Sequence, residues 1–144
     1  MADGLGTFVS PECRLQAAVL AGLRADPDVR EIYGDPARVY DDETRGPAYP
    51  YATLERHESR PAGAADCIAR EHTLTFAVTS RYGGRAYAKD ALGALRSAIE
   101  RMDIAPEGQT VVLAYTTYGD VFRTQDRQAF RGVIRIRIIS EETG

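Results

Sequence analysis

His57, Cys67 and His72 are the most chemically capable side chains of this chain, and they fall within one stretch. A Cys–His pair supplies a nucleophile and its base. Three nitrogen and sulfur ligands begin a metal site. The spacing argues against both. Cys67 and His72 match no closed zinc pattern, and no fourth soft ligand stands nearby. His72 falls on the apolar side of an alternating segment, where an imidazole satisfied by hydrogen bonds inside a core is the ordinary finding. No catalytic residue, cofactor or metal is expected.

Three other clusters could do chemistry. Asp41-Asp42-Glu43 offers oxygens to a divalent cation, but without the glycine and spaced oxygens of a calcium loop. A solvated loop or an arginine-binding contact explains it better. Gly83-Gly84 ahead of a helix would suit a phosphate cradle. The Lys-Ser/Thr of the phosphate loop is missing, and a strand-to-helix turn accounts for the glycines. Arg131, Arg135 and Arg137 alternate along the last apolar segment. They could meet nucleic-acid phosphates, keep a sheet face or edge soluble, or pair with Asp41, Asp42 or Glu43 of an adjacent subunit. No interleaved aromatic platform accompanies them, which tells against single-strand binding. The third reading is preferred.

The elements that must position these residues follow from punctuation and periodicity. Ser10-Pro11-Glu12 is a helix start. Leu15, Val19 and Leu23 continue it as one apolar stripe, and Asp26-Pro27 stops it. Val29, Ile32 and Tyr33 suit one further short turn. Strands are expected over 38–40, 51–58, 71–80, 110–118 and 129–140, with a second helix over 85–102. In the last strand Phe130, Ile134, Ile136 and Ile138 face one way, and Arg131, Val133, Arg135, Arg137 and Ile139 the other. Residues 41–49, 60–69 and 119–128 read as polar connections. The result is an α+β fold: a mostly antiparallel sheet with two helices on one face and the other face uncovered. Residues 1–9 read as a frayed leader, and 10–144 as a single domain.

Composition narrows the function classes. The chain has 144 residues, 44% hydrophobic and 27% charged, with a net charge of −3, which argues against disorder and against a broad DNA-binding surface. Two cysteines make no disulfide framework. No apolar run approaches the roughly 20 residues of a membrane helix. Met1-Ala2-Asp3-Gly4 begins no secretory signal, so a cytoplasmic setting is expected. Lys89 is the only lysine beside many arginines, and arginine forks suit subunit contacts.

The order of segments resembles a known family. A helix Leu15-Gln16-Ala17-Ala18-Val19-Leu20-Ala21-Gly22-Leu23 is followed by Asp26-Pro27 and Arg38-Val39-Tyr40-Asp41. Then come Pro50-Tyr51-Ala52-Thr53-Leu54, Thr79-Ser80-Arg81, an amphipathic helix, and Tyr118, Phe122, Arg123 and Arg131-Gly132-Val133-Ile134-Arg135-Ile136-Arg137. From about Leu15 to Glu141 this resembles the tail-completion, or tail-terminator, proteins of long-tailed phages, in the version carried by gene transfer agents.

That resemblance implies a non-enzymatic virion component without cofactor, assembled in the bacterial cytoplasm and resident in the tail. It implies a homo-hexameric ring on the head-proximal end of the tail tube, which stops tube growth and joins the head connector or stopper. The sheet would line the channel with helices outside, and DNA traversing it would not be specifically bound. The contacts with the tube, the connector and the next copy would lie on the three polar connections. Tyr49, Tyr51, Phe122 and Arg123 are the expected anchors, since aromatics and arginine dominate hot spots. Arg131, Arg135 and Arg137 with Asp41, Asp42 and Glu43 complete the expected interface. The rival readings are a tube subunit or head–tail stopper, a Cys/His hydrolase or metal enzyme, and a small-molecule-binding α+β module.

Overall fold

The computed structural model describes residues 8–42, 45–63 and 68–143. Three helices and five strands follow in the order α1 Pro11–Ala25, α2 Pro27–Tyr33, β1 Val39–Tyr40, β2 Tyr51–Pro61, β3 Ala69–Ser80, α3 Gly84–Arg101, β4 Gln109–Arg123 and β5 Phe130–Glu142. The strand order is β1-β2-β3-β5-β4. All pairings are antiparallel except β1 on β2.

The first helix starts where Ser10 Oγ accepts the Cys13 amide at 3.1 Å. Asp26 ends it and opens the next one. Its carboxylate accepts the Asp28 and Val29 amides at 2.9 and 3.2 Å, with Pro27 at the first helical position. The expected short turn at Val29 to Tyr33 is therefore a true helix. Its last residue, Tyr33, is fully buried and donates its hydroxyl to the Ala91 carbonyl of α3 at 2.7 Å.

The third helix begins at the glycine pair. Gly83 is left-handed (φ 82°), and a Cβ there would stand 2.6 Å from the Tyr87 side chain. The strand-to-helix turn thus needs this glycine for steric reasons. Along α3 the buried residues Ala88, Ala91, Leu92, Leu95, Ala98 and Ile99 form one stripe.

That stripe, with Leu15, Val19 and Leu23 of α1, packs on Leu74, Phe76, Val78, Ile134, Ile136 and Ile138. One sheet face is covered and the other is not, as the alternation of β5 requires. Among the described residues no helix is long and apolar enough to cross a membrane.

The strands are longer than expected. Half of the connection placed at 119–128 is strand: β4 continues through Gly119 to Arg123, and 124–129 turns back. Long β5 offers a partner to every one of those residues, and pairing overrides the local turn preference of Gly119-Asp120. The connection placed at 60–69 shortens likewise, because β2 runs to Pro61 and β3 starts at Ala69.

Candidate functional site

The uncovered face is a grid of cross-strand rows. The first row reads Tyr51, Thr79, Arg131, Phe122 across β2, β3, β5 and β4. The second reads Thr53, Ala77, Val133, Asp120, the third Arg56, Thr75, Arg135, Tyr118, the fourth Glu58, Thr73, Arg137, Tyr115, and the fifth Arg60, Glu71, Ile139, Leu113. Register alone therefore brings Tyr51, Phe122 and Arg131 together. Tyr49 joins them: its ring lies 5.7 Å from that of Tyr51, with the Arg81 guanidinium 5.2 Å over it. A shallow hollow of about 560 Å³ opens here, lined by Tyr49, Arg81, Phe122 and Arg131 with the 124–129 turn. Arg123 sits at the same end but on the helix side, 4.7 Å over the Phe130 ring. An aromatic and arginine cluster at one end of a rigid sheet suits a protein contact.

The arginines of β5 are largely engaged within the chain. Arg137 Nη2 donates to Glu71 at 3.0 Å and Nη1 to the Tyr115 hydroxyl at 2.6 Å. Arg60 donates to the other Glu71 oxygen at 3.0 Å. These two guanidinium hydrogen bonds, Arg137 first, hold the Glu71 carboxyl below its ordinary range. Arg131 pairs with Glu55 across β3. Arg135 stands 4.6 Å over the Tyr118 ring and is exposed. Asp41 and Asp42 follow β1 at the sheet edge, exposed, with β2 and β3 between them and β5. Glu43 lies outside the described residues. Glu55, Glu71 and Tyr115 were not singled out from the sequence, because only register reveals whom they face.

The histidines lie on the covered face. His57 Nε2 and His72 Nδ1 share a hydrogen bond at 2.9 Å, and His72 Nε2 meets Ser140 Oγ at 3.2 Å. A bulge between Leu54 and Arg56 makes this pair. Before it Ala52 and Leu54 take the helix-covered side, and after it His57 and the exposed Ser59 do. Burial, then the neighbouring His57, lowers the His72 pKa to about 4. A neutral, fully buried imidazole bonded on both nitrogens fits a structural role. Cys67 lies outside the described residues. Among the described residues no group of three or more His, Cys, Asp or Glu side chains is placed to hold a metal ion.

Fold and face together define an α+β protein with helices on one sheet face and the other bare. The family described as Tail completion protein gp17 matches residues 17–141, and the chain belongs to it. It is a non-enzymatic structural component of a virion tail. Among solved structures it is similar to a chain from the virion of a native gene transfer agent particle. The two are 26% identical, covering 88% of this chain and 94% of that one with a TM-score of 0.79. It also shares its fold with the gp17 protein of bacteriophage SPP1, at 22% identity, 94% and 95% coverage and a TM-score of 0.64. No curated protein sequence matches the chain.

Proposed function

We propose that this chain is the tail terminator of a gene-transfer-agent-like particle. Six copies close a ring on the head-proximal end of the tail tube, stop its growth, and present a surface to the head connector or stopper. The observation that carries this reading is the sheet face left free of helices on a chain of the tail-completion family. A closed ring needs heterologous contacts, one patch meeting a different patch of the next copy. The sheet offers two unlike edges: two-residue β1 with its acidic loop, and fifteen-residue β4.

In this reading Tyr49, Tyr51, Phe122 and Arg123 anchor the tube or connector at one end of the sheet. Among the described residues no carboxylate forms an ion pair with Arg135, and it meets the acidic segment Asp41, Asp42, Glu43 of the neighbouring copy. Arg131 and Arg137, held by Glu55 and Glu71, border that contact.

Native mass across a concentration series, with negative-stain images of the protein alone and mixed with tail tubes, tests the proposal. Closed rings that sit on tube ends and halt elongation support it. Long tubes grown from the purified protein alone identify a tube subunit instead. Failure to bind tube ends, with binding to connector rings, identifies a stopper.

A further inference from the structure

We propose that copies of this chain also join through their helix layers, with α2 of one copy seating its acidic row on the bare flank of α3 of the next. Closure of such contacts into a ring rests on the reading above. The contact itself needs only head-to-tail association.

The helix layer ends before the sheet does. One flank of α3 is occupied within the chain: Tyr33 of α2 donates to the Ala91 carbonyl, and Arg101 pairs with Asp26 and Asp28. Two residues along a helix are about 200° of turn, so Lys89, and Arg96 two turns further on, project from the flank opposite Ala91. Among the described residues no helix follows on that side, and β4 runs beneath it. A hollow of about 630 Å³ lies between α3 and β4, with Leu92, Gly119 and Val121 below and Lys89 and Arg96 beside it. Gly119 has no side chain to fill the space. Among the described residues no carboxylate forms an ion pair with Lys89 or Arg96.

The counterpart sits at the far side of the helix layer. Asp28 and Glu31 are exposed on α2, and exposed Asp35 follows in the turn after it. Asp28 shares Arg101 with Asp26, and Asp35 stands 3.9 Å from Arg30. Among the described residues Glu31 has no ion pair. The seven residues of α2 span about 10 Å, and the rise from Lys89 to Arg96 is the same. Arg30, exposed beside the acidic row, answers Asp90 and Asp120, which also line the hollow. Within one chain the two patches cannot meet, because α3 lies between them. Two unlike patches on opposite flanks make a heterologous contact, and the occupant they fit is a second copy of the same chain.

The test is native mass by sedimentation across a concentration series, with negative-stain images of the same samples alone and with tail tubes. One variant carries Lys89→Glu and Arg96→Glu, the other Glu31→Lys and Asp35→Lys. All four positions are exposed, and circular dichroism checks that each variant keeps its fold. Either variant alone sets like charge against like, and the concentration at which it assembles should rise about tenfold or more over wild type. Mixed in equal amounts the two should recover, since each reversed patch then meets an opposite one and copies alternate. A variant with all four changes should recover by itself. Assembly of either two-residue variant at the wild-type concentration overturns the proposal. So does loss without recovery in both the mixture and the combined variant. Rings that still close but no longer cap tubes assign the hollow to the tube and overturn it as well, leaving the ring standing. Conversely, wild type and mixture that associate head to tail without capping tubes end the terminator reading while the recovery still supports the contact. A wild type that stays monomeric at every concentration, with and without tubes, overturns both.

Discussion

At the scale of single residues, burial decides what the ionisable groups do. His72 is closed in by His57 of β2, Ser140 of β5, Arg70 of its own strand and, at longer range, Glu12 of α1. Its folded pKa of about 4 lies below the ordinary 6.5 that the unfolded chain regains. Between those values the unfolded chain binds more protons than the folded one, so stability rises with pH across the window and drains as pH falls. His57 is shifted the same way by burial and adds to the slope. We expect Tm to fall steadily from pH 6.5 to about 4. His72→Gln, whose amide can still meet Ser140 Oγ, should start less stable and show a flatter profile. A slope unchanged in that variant, measured by scanning calorimetry across the window, removes His72 as its source. Glu71 and Asp26 act elsewhere on the pH axis. Both carboxyls sit below their ordinary values, so the stability they contribute is present above those values and lost only as pH falls through the lower folded ones.

At the scale of elements, Asp26 is the joint between the first two helices. Burial alone would raise its carboxyl pKa, but the Arg101 hydrogen bond at 2.7 Å and the two amides outweigh it. Asp26→Ala removes a helix cap and leaves Arg101 with Asp28 alone, at 3.2 Å, and should cost about 1–2 kcal/mol in a urea titration. Arg101→Gln leaves the capped amides intact and should cost less. Tyr33→Phe, which loses the bond to Ala91, should cost about 1 kcal/mol. A ranking with Arg101→Gln worse than Asp26→Ala would show that the ion pair, not the cap, makes the joint. The same residues show how far the sequence could be read. Ser10-Pro11-Glu12, the stripe at Leu15, Val19 and Leu23, and the alternation of β5 are local signals, and they placed α1, β5 and the bare face. Pro27 reads as a stop yet serves as the first residue of α2, because one aspartate caps both ways. The bulge that turns His57 inward and the register that seats Glu71 between two arginines are products of pairing between strands far apart in the chain. No local window contains them.

At the scale of the whole molecule, axial and lateral contacts occupy different parts of the sheet, so they can be broken one at a time. Phe122 is 39% exposed, and it and Tyr49 both line the end hollow. Tyr49→Ser with Phe122→Ser removes two aromatic surfaces that the monomer does not use in its core. The expected stability change is within about 1 kcal/mol. In the proposed assembly it should leave ring closure intact and abolish capping, so tubes grown with the variant are as long as tubes grown without any terminator. Arg135→Glu with Arg137→Glu attacks the other direction. It reverses the charge offered to the acidic edge and leaves Glu71 with Arg60 alone. Rings should then fail to close at concentrations where the wild type closes them, while the monomer keeps its helical signal. The two variants must separate for the division of labour to hold. If the aromatic pair prevents ring closure, or the arginine pair closes rings that cap normally, the assignment of the end hollow to the tube and of the β5 arginines to the neighbouring copy is wrong. Native mass and tube-length distributions on the same preparations decide it.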